Sequence, residues 1–106
     1  MSEETKELIK SQVENNRVLL YMKGTREMPQ CGFSARVVQI LNTMGIIYET
    51  VDVLENEKLR QGIKDFSSWP TIPQLYVDGK FIGGCDICEE MFQSGDLERA
   101  LQTENG

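Results

Sequence analysis

Five consecutive apolar residues, Val18-Leu19-Leu20-Tyr21-Met22, constrain this chain more than any other stretch. They are too few to span a bilayer, and no longer apolar run occurs. A five-residue segment without polar alternation reads as a strand covered on both faces, so the chain has to place helices on both sides of a sheet. Its 106 residues leave room for one domain, residues 1–106, around a modest core.

The flanking sequence supplies those layers. Leu8, Ile9 and Val13 at helical spacing predict a first amphipathic helix over 3–15. Gly24 and Pro29 punctuate a loop to Gln30. After Cys31, the residues Phe33, Val37, Ile40 or Leu41, and Met44 recur on one face of a helix, and Gly45 suits a left-handed C-cap. Residues 46–53, IIYETVDV, read as a second strand. Leu59, Ile63 and Phe66 predict a further helix with Glu55 and Glu57 in its acidic first turn. Asp78-Gly79, between strand-like residues 74–77 and 80–82, signals a tight hairpin that Gly83-Gly84 ends. Asp86 and Glu89 have the spacing of a capping box opening a helix through Phe92, and Asp96 is placed to cap a last helix to about Gln102. A strand–helix–strand unit followed by a hairpin predicts an α/β, thioredoxin-like fold: a four-stranded mixed sheet flanked by helices. Cys31 then sits at the C-terminal end of a central strand and the start of a helix, where open α/β sheets bind ligands.

Charge and cysteine usage narrow the chemistry. A formal net charge of −6 argues against nucleic acid or an anionic membrane surface as partner. With no histidine, His-based catalysis and His-ligated zinc or haem are excluded. The start, MSEETKELIK, does not read as a secretory signal, and three cysteines do not make a disulfide framework. Reduced thiols in the cytoplasm are the expectation; an organellar form trimmed of its transit peptide fits as well.

In MPQCGFSAR, residues 28–36, a serine stands where a second cysteine would complete a redox pair. Ser34 cannot resolve a disulfide, so Cys31 is either an inert core thiol or borrows a sulfur from outside the chain. A thiol of pKa ~8.5 is only ~3% ionised at pH 7, and lowering it to ~6.5 would require ~2.7 kcal/mol. A helix N-terminus supplies ~0.3–1 kcal/mol, rising to ~2 when partly buried. Lys23, closing the first strand, is the expected second source, since a cation ~5 Å away at an effective dielectric of ~20 adds up to ~3 kcal/mol. Gly32 is expected to keep a backbone N–H aimed at the sulfur, which proline there would lack. Downstream, Trp69-Pro70-Thr71-Ile72-Pro73 fixes backbone direction, and Pro73 is positioned for a cis bond that leaves the Ile72 backbone free to pair with an extended peptide. The bland alternative is a stiffened loop, with Trp69 on its rim.

Cys31-Gly32-Phe33-Ser34, Trp69-Pro70-Thr71-Ile72-Pro73-Gln74, Val77-Asp78-Gly79 and Gly83-Gly84-Cys85-Asp86 together resemble the monothiol glutaredoxins of the CGFS type, in their single-domain form. The resemblance runs in order from about Arg17 to Leu101. It implies a glutathione site: Lys23 and Cys31 meeting the ligand's cysteine with Phe33 alongside, Ile72 pairing with its backbone, Arg60 and Lys64 holding the glycine carboxylate, and Cys85 and Asp86 holding the γ-glutamyl end. Charge logic agrees, because an acidic protein needs a local basic patch for an anionic tripeptide, and Arg60 and Lys64 lie one helical turn apart. Otherwise they would be a solvated helix face.

The resemblance further implies a 2Fe–2S cluster bridging a homodimer. Cys31 of each copy would be a metal ligand, two glutathiones would complete the set, and the role would be cluster carriage, transfer to acceptor proteins and iron homeostasis. It also implies a BolA-like partner. The alternative is an enzyme, with Cys31 catalysing weak glutathione-dependent thiol–disulfide exchange on mixed disulfides. A plain interaction domain would require the motifs to be coincidence. Cys85-Asp86-Ile87-Cys88 is itself a Cys-x-x-Cys at a helix start, a setting that lowers a thiol pKa. Cys85 could close a disulfide with Cys31 or Cys88, although Cys88, spaced with Met91 and Phe92, fits packing. Met22, Met28, Met44 and Met91 read as packing residues too.

Overall fold

Residues 1–102 are described by a computed structural model. The elements run α1 (Glu3–Asn15), β1 (Val18–Met22), α2 (Gly32–Met44), β2 (Glu49–Asp52), a single 3-10 turn (Val53–Glu55), α3 (Glu57–Ser67), β3 (Gln74–Val77), β4 (Lys80–Gly83), α4 (Cys85–Ser94) and α5 (Asp96–Leu101). The four strands are ordered β2-β1-β3-β4, with β1 parallel to β2, and β3 antiparallel to both β1 and β4. This is the thioredoxin-like mixed sheet that the element order predicts. Of the expected domain 1–106, residues 103–106 lie outside the described part.

The unbroken apolar run of β1 has a direct cause. Successive side chains point to opposite faces, so both sets must be apolar when both faces are covered. Val18, Leu20 and Met22 pack with Val37, Ile40 and Leu41 of α2, Cys88 of α4, and Leu97 and Leu101 of α5. Leu19 and Tyr21 pack on the other face with Ile9 and Val13 of α1, Leu59 and Ile63 of α3, and Tyr76. Two half-cores therefore sandwich one sheet. Gly62 lets α1 and α3 close together, since a Cβ there would lie 2.7 Å from Thr5 Cγ2.

Several local expectations hold. Gly45 ends α2 in the left-handed region at φ 68°. Asp78 and Gly79 both have positive φ, 52° and 78°, as the mirror-image hairpin turn requires. The Ile72–Pro73 bond is cis.

Others are corrected. Residues 46–53 do not form one strand: β2 is confined to Glu49–Asp52, Ile47 is 91% exposed in the preceding loop, and Val53 opens the 3-10 turn. Glu55 lies in that turn, and the true cap of α3 is Asn56, whose side chain accepts from Leu59 N–H at 3.1 Å. Leu8 faces solvent rather than the core. Asp86 does not cap α4 and Asp96 does not cap α5; Gly84 and Gly95 hold those positions, and each acid falls within the first turn. Glu89 is taken instead by Arg36 of α2 in a bidentate ion pair whose shortest contact is 2.7 Å. α4 continues past Phe92 to Ser94.

Candidate functional site

Cys31 is the N-cap of α2, with extended backbone (φ −153°, ψ 135°), and its side chain is only partly buried. The end of β1 is locked beside it by three hydrogen bonds. Lys23 N–H donates to Ser34 Oγ (3.1 Å), Gln30 N–H donates to the Lys23 carbonyl (2.8 Å), and Gly24 N–H donates to Asp52 Oδ1 (2.9 Å). Gly24 adopts φ 91°, and a Cβ there would meet Met28 O at 2.6 Å, so the loop can fold back on the strand only with glycine. Ser34 itself is fully buried. Its hydroxyl is thus a structural tie between strand and helix, at the position where a second thiol is missing.

Partial burial alone would raise the Cys31 thiol. The backbone N–H groups of Ser34 and Phe33, then the Lys23 ammonium and the Ser34 hydroxyl, outweigh it, so the pKa falls below the ordinary thiol range. These donors favour the thiolate although the thiol closes no regular capping bond. Two expectations change. The N–H groups that act belong to Ser34 and Phe33 rather than Gly32, and Lys23 comes behind them. Cys31 is no inert core thiol.

Its two neighbours behave oppositely. Burial and the carboxylates of Asp86 and Glu89 raise the Cys85 pKa, and burial pushes the Cys88 thiol up to about 12. The expectation that a Cys-x-x-Cys at the α4 start would be acidified is therefore overturned: local acids and burial defeat the helix terminus. Cys88 is fully buried and packs in the core. All three thiols are free.

A cleft of about 410 Å3 opens beside Cys31. Lys23, Cys31 and Phe33 form one wall, Lys64 and Trp69–Pro73 the second, and Gly84–Ile87 at the N-terminus of α4 the third. Of the residues expected from the sequence, Lys23, Cys31, Phe33, Lys64, Ile72, Cys85 and Asp86 line it, and Arg60 does not. Arg60 lies one turn before Lys64 on α3, 3.8 Å from Glu57, with its buried Nε unpartnered among the described residues. Phe33 was expected on the apolar face of α2; it is 63% exposed, because the first turn of that helix overhangs the cleft instead of the core. Met28 is likewise exposed rather than packed.

The lining also includes Thr71, Gly84 and Ile87, to which sequence reasoning assigned no part in ligand binding. Gly84 carried a usable signal: a Cβ there would lie 3.2 Å from Pro73 O and 3.3 Å from Trp69 Nε1, so glycine lets α4 close on the proline loop. Among the described residues, the Ile72 N–H and carbonyl have no backbone hydrogen-bond partner. No group of three His, Cys, Asp or Glu side chains is placed to hold a metal ion within the described residues. The cleft thus joins one acidified thiol, two lysines, unpaired backbone and a helix N-terminus, a set that suits an anionic, extended, sulfur-bearing ligand.

Glutaredoxin is the family whose sequence model this chain matches, over residues 18–82. An uncharacterised monothiol glutaredoxin (ycf64-like) of Synechocystis is 56% identical over 102 residues, covering 96% of this chain and 95% of that one. The chloroplastic monothiol glutaredoxin-S7 of rice is 57% identical over 90 residues, which are 85% of this chain and 54% of that longer relative. The solution structure of reduced apo GrxS14 from poplar superimposes with a TM-score of 0.78 at 53% identity, covering 91% of this chain and 92% of that one.

Proposed function

The chain belongs to the glutaredoxin family, in its monothiol branch, and on that footing we propose that it binds glutathione beside Cys31 and carries a 2Fe–2S cluster between two copies for delivery to acceptor proteins. The observation that carries this reading is a single accessible, thiolate-favouring cysteine on a peptide-sized cleft, followed at the resolving position by a fully buried serine. The thiol chemistry has to be completed from outside, and the cleft suits a tripeptide thiol. Lys23 and Cys31 meet its cysteine beside Phe33, Ile72 pairs with its main chain, Lys64 faces its glycine carboxylate with Arg60 one turn back on α3 outside the lining, and Cys85 and Asp86 take its γ-glutamyl end.

The cluster is cargo in this reading. Four thiolates hold such a cluster. One copy offers Cys31 alone, since Cys88 is buried and the Cys85 thiol is raised by burial and then by the Asp86 and Glu89 carboxylates. Two copies and two glutathiones make up the set, and the lysines of both clefts offset its negative charge. A dimer joined through its cargo comes apart when the cluster leaves, which suits transfer, iron homeostasis and exchange of one copy for a BolA-like protein. One domain is sufficient for this role, and the reducing cytoplasm keeps its thiols free.

The acidified Cys31 also supports a second reading, glutathione-dependent reduction of mixed disulfides. The Cys31 thiolate attacks the glutathione sulfur of a protein–glutathione disulfide, the protein leaves as thiolate, and a second glutathione thiolate releases glutathione disulfide and restores Cys31.

Anaerobic addition of iron, sulfide and glutathione, followed by visible spectroscopy and native mass spectrometry, separates the readings. A coloured dimer with two irons and two glutathiones, lost in Cys31→Ser and without glutathione, is expected. A colourless monomer overturns the carrier reading and leaves the reductase.

A further inference from the structure

The wall opposite Cys31 is held from behind by a side chain that never reaches the cleft. Gln74 opens β3 and is fully buried. Its Nε2 donates to two loop carbonyls, Trp69 O and Thr71 O, both at 3.2 Å, and its Oε1 accepts from the Tyr76 hydroxyl at 3.2 Å. This environment fixes the amide orientation, since only the NH2 end can serve two carbonyls while the oxygen takes a hydroxyl. The aromatic rings close a second connection. Trp69 packs on Phe81 (centroids 5.8 Å apart) and Phe81 on Tyr76 (5.5 Å). Trp69 is thus tied to Tyr76 twice, through its carbonyl by way of Gln74 and through its ring by way of Phe81.

The Thr71 carbonyl belongs to the same peptide unit as the Ile72 N–H. In a planar trans peptide these two groups point in opposite directions. When Gln74 draws the carbonyl inward, the N–H turns away from Gln74, and Ile72 lines the cleft while Gln74 does not. We infer that Gln74, braced by the Tyr76 hydroxyl, is the positioning residue that aims the Ile72 N–H at the main-chain carbonyl of an extended peptide ligand. Without it the Thr71–Ile72 peptide can rotate, and the wall loses its donor without losing the cleft.

This inference deepens the glutathione reading and rests on it. The test is calorimetric titration with glutathione of the unaltered protein, Gln74→Met and Tyr76→Phe, alongside the rate of Cys31 alkylation by iodoacetamide. Gln74→Met keeps the volume and leaves both carbonyls unpaired; Tyr76→Phe keeps the ring stack and removes the hydroxyl from the amide oxygen and from Ser67. The expected result is a dissociation constant raised about tenfold in the first variant and about threefold in the second. Alkylation, which needs Cys31 but no wall, stays within about twofold of the unaltered rate. A merely structural role would depress binding and alkylation together, and that outcome overturns the inference. Tyr76→Phe decides if Gln74→Met does not fold, because unchanged affinity in it also overturns the inference. If the unaltered protein fails to bind glutathione, the glutathione reading falls and takes this inference with it; normal binding by both variants removes the inference alone.

Discussion

Replacing Ser34 by alanine separates the two jobs that the structure gives its hydroxyl. The side chain is fully buried, so water cannot take the place of the lost acceptor, and the Lys23 N–H now 3.1 Å from Oγ is left unpaired. An unsatisfied buried donor costs about 1–3 kcal/mol, of which the better helix propensity of alanine returns about 0.5. The net loss is about 1.5 kcal/mol, which in a domain of this size lowers the melting midpoint by about 6–12 °C. The same hydroxyl favours the Cys31 thiolate, so its removal shifts the pKa of Cys31 back toward the ordinary thiol range. Thermal unfolding reads the first effect, and the pH profile of Cys31 alkylation reads the second, its inflection moving to higher pH. An unchanged melting midpoint would refute the structural tie. A lower midpoint with an unmoved pH profile would refute the electrostatic contribution and leave the backbone N–H groups and Lys23 to act alone.

Stability should fall as pH rises above 9. The Cys88 thiol, whose reference value is 9.0, and the Tyr76 phenol, reference 10.0, are each pushed up to about 12. Each gives stability that is intact below its unfolded pKa and lost as pH climbs toward its folded one, by up to about 1.4 kcal/mol per pH unit per group; denaturant titrations of the unaltered protein and Cys88→Ala, the latter with a shallower decline, check this. Gly83→Ala should cost about 3 kcal/mol or more, because φ is 155° and the new Cβ would lie 2.6 Å from Ile87 Cβ; an unfolding midpoint close to the unaltered one would refute it. Gly84→Ala, with contacts of 3.2–3.3 Å, should be milder in stability but shift Trp69 fluorescence by displacing the proline loop. Arg36→Glu should destabilise by about 1 kcal/mol, and the exchange Arg36→Glu with Glu89→Arg should recover most of it; equal stability of single and double variants in urea would show that the 2.7 Å pair contributes nothing.

The layered fold was legible because period and punctuation are local properties. The apolar run of β1 announced a sheet covered on both sides, the mirror-image turn at Asp78-Gly79 announced the hairpin, and Gly45 announced the end of α2. What was misread depended on partners distant in sequence. Ile47 belongs to a β-prone run, yet β2 is an edge strand that pairs only with β1, and its pairing register starts at Leu19 with Glu49. Asp86 and Glu89 have capping-box spacing, but Arg36 lies 53 residues before Glu89 and claims it. Phe33 fits the apolar period of α2, and only the position of that helix over the sheet decides that its first turn overhangs the cleft.

The cysteines draw the same boundary most sharply. By itself the sequence determined that one cysteine opens a helix after a buried strand, that no second thiol follows at the resolving position, and that an α/β sheet would present it to a ligand. It could not determine which thiol is reactive, because Cys31 and Cys85 both open helices. Tertiary structure decided that: it buries Cys85 beside the acids of its own helix, Asp86 and Glu89, while at Cys31 it adds Lys23, from the end of β1, to the Ser34 and Phe33 N–H groups. Helix position is a property of the chain, whereas the field at a sulfur is summed over whatever the fold brings within a few ångströms.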